Sequence, residues 1–162
     1  MEITESEFYR LATQIANQSR QAAFASKTPV LLLPSEQQGK WRTEYNQTLL
    51  KRIKNGKQKT QYLFSIPHLK SELNKLNKTA AEKVLDWWAT LLTYKTLDLR
   101  ATERPFESCV IGDSQILLKE GTKRFLISTN FSKGAELAKE FNKYFKSASS
   151  NNNIINQIRR AL

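Results

Sequence analysis

A chain of 162 residues with 26 Lys+Arg against 15 Asp+Glu carries a formal net charge of +11, and 40% of its residues are hydrophobic. That length suits one domain able to bury its own core, and the composition excludes a disordered chain. The positive excess points to an anionic partner, because a positive field steers phosphate-rich ligands and counterion release favours their binding; the bland alternative is solubility alone.

Thr4 and Glu7 stand at capping-box spacing. Phe8, Leu11, Ala12, Ile15, Ala16, Ala22 and Ala23 then keep one helical face apolar, so a helix is expected to about Ser26, with Pro29 ending it. Val30-Leu31-Leu32-Leu33 reads as a central strand, and Lys40–Lys54 as an amphipathic helix with Trp41, Tyr45, Leu49 and Ile53 inward. Asn55-Gly56 closes that helix, Gln61–Ile66 is a second buried strand, and helices follow over Leu69–Leu76 and from Thr79, where Val84, Leu85, Trp88 and Leu91 share a face. Trp87 falls on the flank of that face, where it caps the core or meets a partner. Strands are expected at Leu97–Ala101, Glu107–Ile111, Gln115–Leu118 and Arg124–Ser128, then a helix over Ser132–Ser147. The order specifies an α/β fold, a mixed β-sheet flanked by helices on both faces. The domain spans residues 1–147. Residues 148–162 read as a flexible tail ending in a short amphipathic segment, Ile154–Leu162.

Pro105-Phe106-Glu107-Ser108-Cys109-Val110-Ile111-Gly112-Asp113, followed by Ser128-Thr129-Asn130, resembles the second half of a phospholipase D-like domain. That family has a His-x-Lys-x-x-x-x-Asp motif and a following Gly-Ser-x-Asn element. Counting back from Asp113 puts Phe106 at the position of the His and Ser108 at that of the Lys; Ile127 stands where the family has Gly. The resemblance implies a single half-domain whose motif survives in Asp113, Ser128 and Asn130 but has lost its nucleophile, and it implies pairing into a homodimer. The residues alone also allow a plainer reading, in which Gly112-Asp113-Ser114 is a turn between buried strands. His68-x-Lys70 does not replace the motif, because Lys75 stands where the Asp is required, and His68 after Pro67 reads as a helix-entry residue. The expectation is a protein that is not an enzyme.

Cys109 is the single cysteine, which excludes an intramolecular disulfide, and with one histidine it cannot make the usual four-ligand zinc site. No metal or other cofactor is expected. Met1-Glu2-Ile3-Thr4-Glu5 is acidic and unlike a signal peptide, and no apolar run approaches a membrane span, so the expected location is the cytoplasm.

Positive charge concentrates in Lys40, Arg42, Lys51, Arg52, Lys54, Lys57 and Lys59 against Glu44 alone, with Arg104, Lys123 and Arg124 as further candidates near the old active-site mouth. The reading is a phosphate-contacting surface for nucleic acid or another polyanion. Two alternatives stand beside it: a regulatory domain sensing a ligand or protein in the remnant cleft, and a phosphodiesterase with an atypical site.

Overall fold

A computed structural model describes residues 1–27, 40–128, 131–148, 156, 159 and 160. Among the described residues seven strands form one mixed sheet: β1 (Glu2–Ile3), β2 (Gln21–Ser26), β3 (Lys59–Ser65), β4 (Leu97–Thr102), β5 (Ser108–Ile111), β6 (Ile116–Glu120) and β7 (Arg124–Ser128), in the spatial order β1-β7-β6-β5-β2-β3-β4. β2, β3 and β4 are parallel, while β5, β6, β7 and β1 are added antiparallel on the other side of β2. The helices are α1 (Glu5–Gln18), α2 (Lys40–Asn55), α3 (Ile66–Asn74), α4 (Lys78–Leu91) and α5 (Phe131–Ser147).

Strand pleating sends alternate side chains to opposite faces, and each face has its own core. Phe24, Tyr62, Phe64, Leu99, Val110, Leu117 and Phe125 meet Phe8, Ile15, Leu49, Ile53, Leu69, Leu85 and Trp88, so α1 to α4 cover one face. Trp88 is 2% exposed and sits edge-on to Phe64 at 4.7 Å. The other face is covered by α5, where Phe141 and Phe145 pack over Ala23, Ala25, Leu63, Phe106 and Cys109. The mixed sheet with helices on both faces is therefore as expected, with an uneven division of the helices.

The largest departure lies at the start of the chain. The Thr4 side chain does cap α1, accepting the Glu7 amide at 3.2 Å. The helix, however, ends at Gln18 instead of running to Ser26, and Ala22 and Ala23 belong to the interior strand β2. What ends it comes from another helix. Arg52 of α2, 2% exposed, donates to the carbonyls of Ala16 (3.1 Å), Ser19 (2.6 Å) and Lys59 (2.7 Å) and to the Thr60 hydroxyl (2.8 Å). Carbonyls in the last turn of a helix lack intrahelical partners, and a cation there also meets the negative end of the helix dipole. Burial lowers the Arg52 pKa, and the Asp113 carboxylate partly offsets this. The Val30–Leu33 strand and residue Asn130 lie outside the described residues, as does most of the segment after Ser147. Arg159 forms ion pairs with Glu82 and Asp86 of α4.

Candidate functional site

The carboxyl ends of β2, β3 and β4 and the start of β5 share one end of the sheet, and the crevice outside such strand ends is where open α/β sheets bind ligands. Two hollows open there. One, of about 270 Å³, is bordered by Tyr9, Lys27, Tyr45, His68, Ser108 and Lys119. The second, of about 320 Å³, lies on the α5 side against Phe106, Cys109, Glu140 and Tyr144. Lys119 stands directly across from Ser108 in the β5–β6 ladder. Lys27 and Lys119 were not among the sequence candidates, because nothing in their local sequence announces the register that brings them beside Ser108.

Phe106, Ser108 and Asp113 are each engaged in structure. Phe106 plugs the core beneath α5. The Ser108 hydroxyl accepts the Lys27 amide at 3.2 Å, which ties the exit of β2 to β5. Asp113 accepts the amides of Arg20 at 3.0 Å and Gln21 at 3.5 Å, closing the opposite end of the same strand pair. It is more than a turn former, since it reaches across to the residues that begin β2. Gly112 makes this close approach possible: a Cβ there would lie 2.9 Å from both Ile15 Cγ2 and Ser19 Oγ.

Ser128 is a correction. It pairs with Ile116, which pairs with Ile111, so it belongs to the Asp113 end of the sheet and not to the Phe106–Ser108 end. The antiparallel ladder of β6 and β7 reverses chain direction twice after Asp113, and that carries Ser128 away from the crevice.

His68 occupies the first turn of α3. The N-cap Ser65 hydroxyl oxygen accepts the His68 amide at 3.4 Å and lies 2.9 Å from Nδ1. This is the geometry of a helix-entry residue, although the ring also borders the crevice. Cys109 is buried, and that burial, reinforced by the negative charge of Glu140, pushes its thiol up to about 12. A thiol held protonated is a poor nucleophile. Iodoacetamide at mildly alkaline pH should leave Cys109 unmodified in the folded protein and alkylate it after unfolding in guanidinium; rapid labelling of the native state would contradict its placement. Among the described residues no cluster of His, Cys, Asp or Glu is arranged to hold a metal ion. No helix among them is long and apolar enough to cross a membrane.

The ten basic candidates separate. Arg52 is a correction: its guanidinium is buried and occupied by the Ala16 and Ser19 carbonyls at the end of α1 and by the Lys59 carbonyl and Thr60 hydroxyl of β3. Lys51, Lys54, Lys57 and Lys59 are exposed at the end of α2 and through the turn into β3. Lys54 lies 5.5 Å from the Trp87 ring, joining α2 to α4. Lys40 and Arg42 begin α2 at its other end. Arg104, Lys123 and Arg124 are exposed near the crevice end, where Arg124 pairs with Glu120 at 3.2 Å. None of the three borders the hollows themselves, though their neighbours Pro105 and Thr122 do.

Superposition on a solved phospholipase D family member makes the fold phospholipase D-like. Among solved structures, Nuc from Salmonella typhimurium, a phospholipase D family member, superposes with a TM-score of 0.55 at 8% identity, over 88% of this chain and 89% of Nuc. TrmBL2, an archaeal chromatin protein with a novel mode of DNA binding, superposes with a TM-score of 0.58 at 14% identity over 93% of this chain. The chain spans 54% of the length of TrmBL2. No family model and no curated protein sequence matches the chain.

Proposed function

We propose that this is a non-catalytic phospholipase D-like domain that binds nucleic acid through the basic surface at the end of α2. The observation that carries the reading is the exposed set Lys51, Lys54, Lys57 and Lys59, which no ion pair joins to a carboxylate among the described residues. Uncompensated ammonium groups release counterions from a phosphate backbone and add affinity without sequence discrimination. A DNA-binding chromatin protein with the same fold is in keeping with this use of the scaffold. Reversing the charge of Lys51, Lys54 and Lys57 together to Glu should weaken binding of a labelled oligonucleotide at least roughly tenfold. Unchanged affinity in the triple variant would remove the surface from consideration.

The non-catalytic part of the reading rests on Phe106 and Ser108, which supply neither a nucleophile nor a cation where the family motif has them. A generic phosphodiester should therefore show no turnover above buffer. Turnover that His68→Ala abolishes would favour the phosphodiesterase reading instead. The crevice supports a second role as a ligand-sensing pocket, because Lys27, His68, Ser108 and Lys119 border one hollow with Tyr9 and Tyr45.

A further inference from the structure

A third hollow lies at the amino-terminal ends of β2, β3 and β4, at the opposite end of the sheet from the crevice and on the face covered by α5. It measures about 690 Å³, within the roughly 300–1,000 Å³ of small-molecule sites. Its floor follows from strand register. Ile111, Ala23, Gln61 and Asp98 form one cross-strand row, and Gln21 and Lys59 pair in the row beyond it. An alanine at position 23 leaves that floor low, and Ala138, Phe141 and Asn142 of α5 form the lip.

Two lysines and two aspartates border the groove, and the aspartates are already engaged by other groups. Asp98 is held by Arg100 through two contacts of 3.2 Å, and Asp113 is engaged by the amides of Arg20 and Gln21. Lys59 and Lys95 have no ion pair among the described residues. Gln21, Gln61 and Asn142 bring amides that both donate and accept hydrogen bonds, the capacity needed to read a base edge or sugar hydroxyls. Ala23, Ile111 and Phe141 give the apolar wall that a flat ring needs. Thr96, whose buried hydroxyl has no partner among the described residues, also borders the groove.

We propose that this groove binds a nucleoside phosphate, either as a free nucleotide or as one unit of a single strand. Lys59 and Lys95 take the phosphate, the three amides take the polar edges, and the apolar wall takes the base. For the strand, the inference rests on the nucleic-acid reading above, since Lys59 is shared between the groove and the basic surface; for the free nucleotide it does not.

The test is an amide-resolved NMR titration with adenosine monophosphate and, separately, with a short oligothymidylate. Both probes are expected to shift the resonances of Gln21, Ala23 and Gln61. The exposed pair Lys59→Glu and Lys95→Glu should weaken both interactions by roughly tenfold or more while leaving the spectrum dispersed. If neither probe moves the groove resonances, the proposal is overturned. If the oligothymidylate moves only Lys51–Lys57, the groove is overturned and the basic surface stands. If adenosine monophosphate fills the groove while no oligonucleotide binds, the groove stands for the free nucleotide and the nucleic-acid reading falls.

Discussion

Replacing Arg52 with leucine is expected to destabilise the fold by about 3–5 kcal/mol, read as a lowered midpoint in chemical denaturation with an unchanged slope. Arg52 satisfies the Ala16, Ser19 and Lys59 carbonyls and the Thr60 hydroxyl at once. Leucine would fill much of the volume but donate nothing. Each buried acceptor left without a donor costs about 1–3 kcal/mol, and the Ser19 carbonyl is partly protected because Gln58 also donates to it at 3.1 Å. Arg52→Lys keeps the charge but not the planar fork that reaches several carbonyls, so it should recover less than half of the loss. A change within about 0.5 kcal/mol, the range of ordinary surface substitutions, would show that the guanidinium is not what ends α1.

Gly112→Ala should cost about 1–3 kcal/mol by overpacking. The added methyl would sit 2.9 Å from Ile15 of α1 and from Ser19, which stands next to the Arg20–Gln21 pair that Asp113 holds. Moving that segment to relieve the clash would lengthen the Asp113 contacts to Arg20 and Gln21. Asp113→Asn tests the same junction more gently, since one amide oxygen can still accept from Arg20. Thermal denaturation should rank the stabilities as wild type, Asp113→Asn, then Gly112→Ala. If Gly112→Ala is neutral, the turn is looser than described.

The contrast between these two sites explains which parts of the fold were legible in the sequence. Helices α2 to α5 and strands β3 to β7 declared themselves through apolar periodicity, which is local. Strand β2 did not, because Ala22 and Ala23 continue the helical stripe of α1. A guanidinium 33 to 36 residues away meets the end of that helix at Ser19 and Ala16, joined there by the Gln58 amide at Asn17 and Ser19. The same long-range term changed the site. Arg52 sits in the run Lys51-Arg52-Ile53-Lys54 and is indistinguishable there from an exposed cation, yet it falls beside Ile53 on the buried face of α2. Ser128 failed for a related reason, since motif spacing along the chain ignores the two strand reversals between Asp113 and Ser128. Phe106, Ser108 and Asp113 stand out together in the sequence because they lie in or within two residues of strand β5. Their present partners Lys27, Arg20 and Gln21 were not.

On the proposed reading, a phospholipase D-like scaffold binds nucleic acid by charge, without cleaving it. The most direct test is a fluorescence titration of the wild-type protein with single- and double-stranded oligonucleotides across a salt series, with the integrity of the strands read at each endpoint. Binding should be evident at low salt, fall steeply and log-linearly as salt rises, and leave the strands intact. Affinity that is undetectable at low salt or insensitive to salt, or strands shortened by the protein, would contradict it.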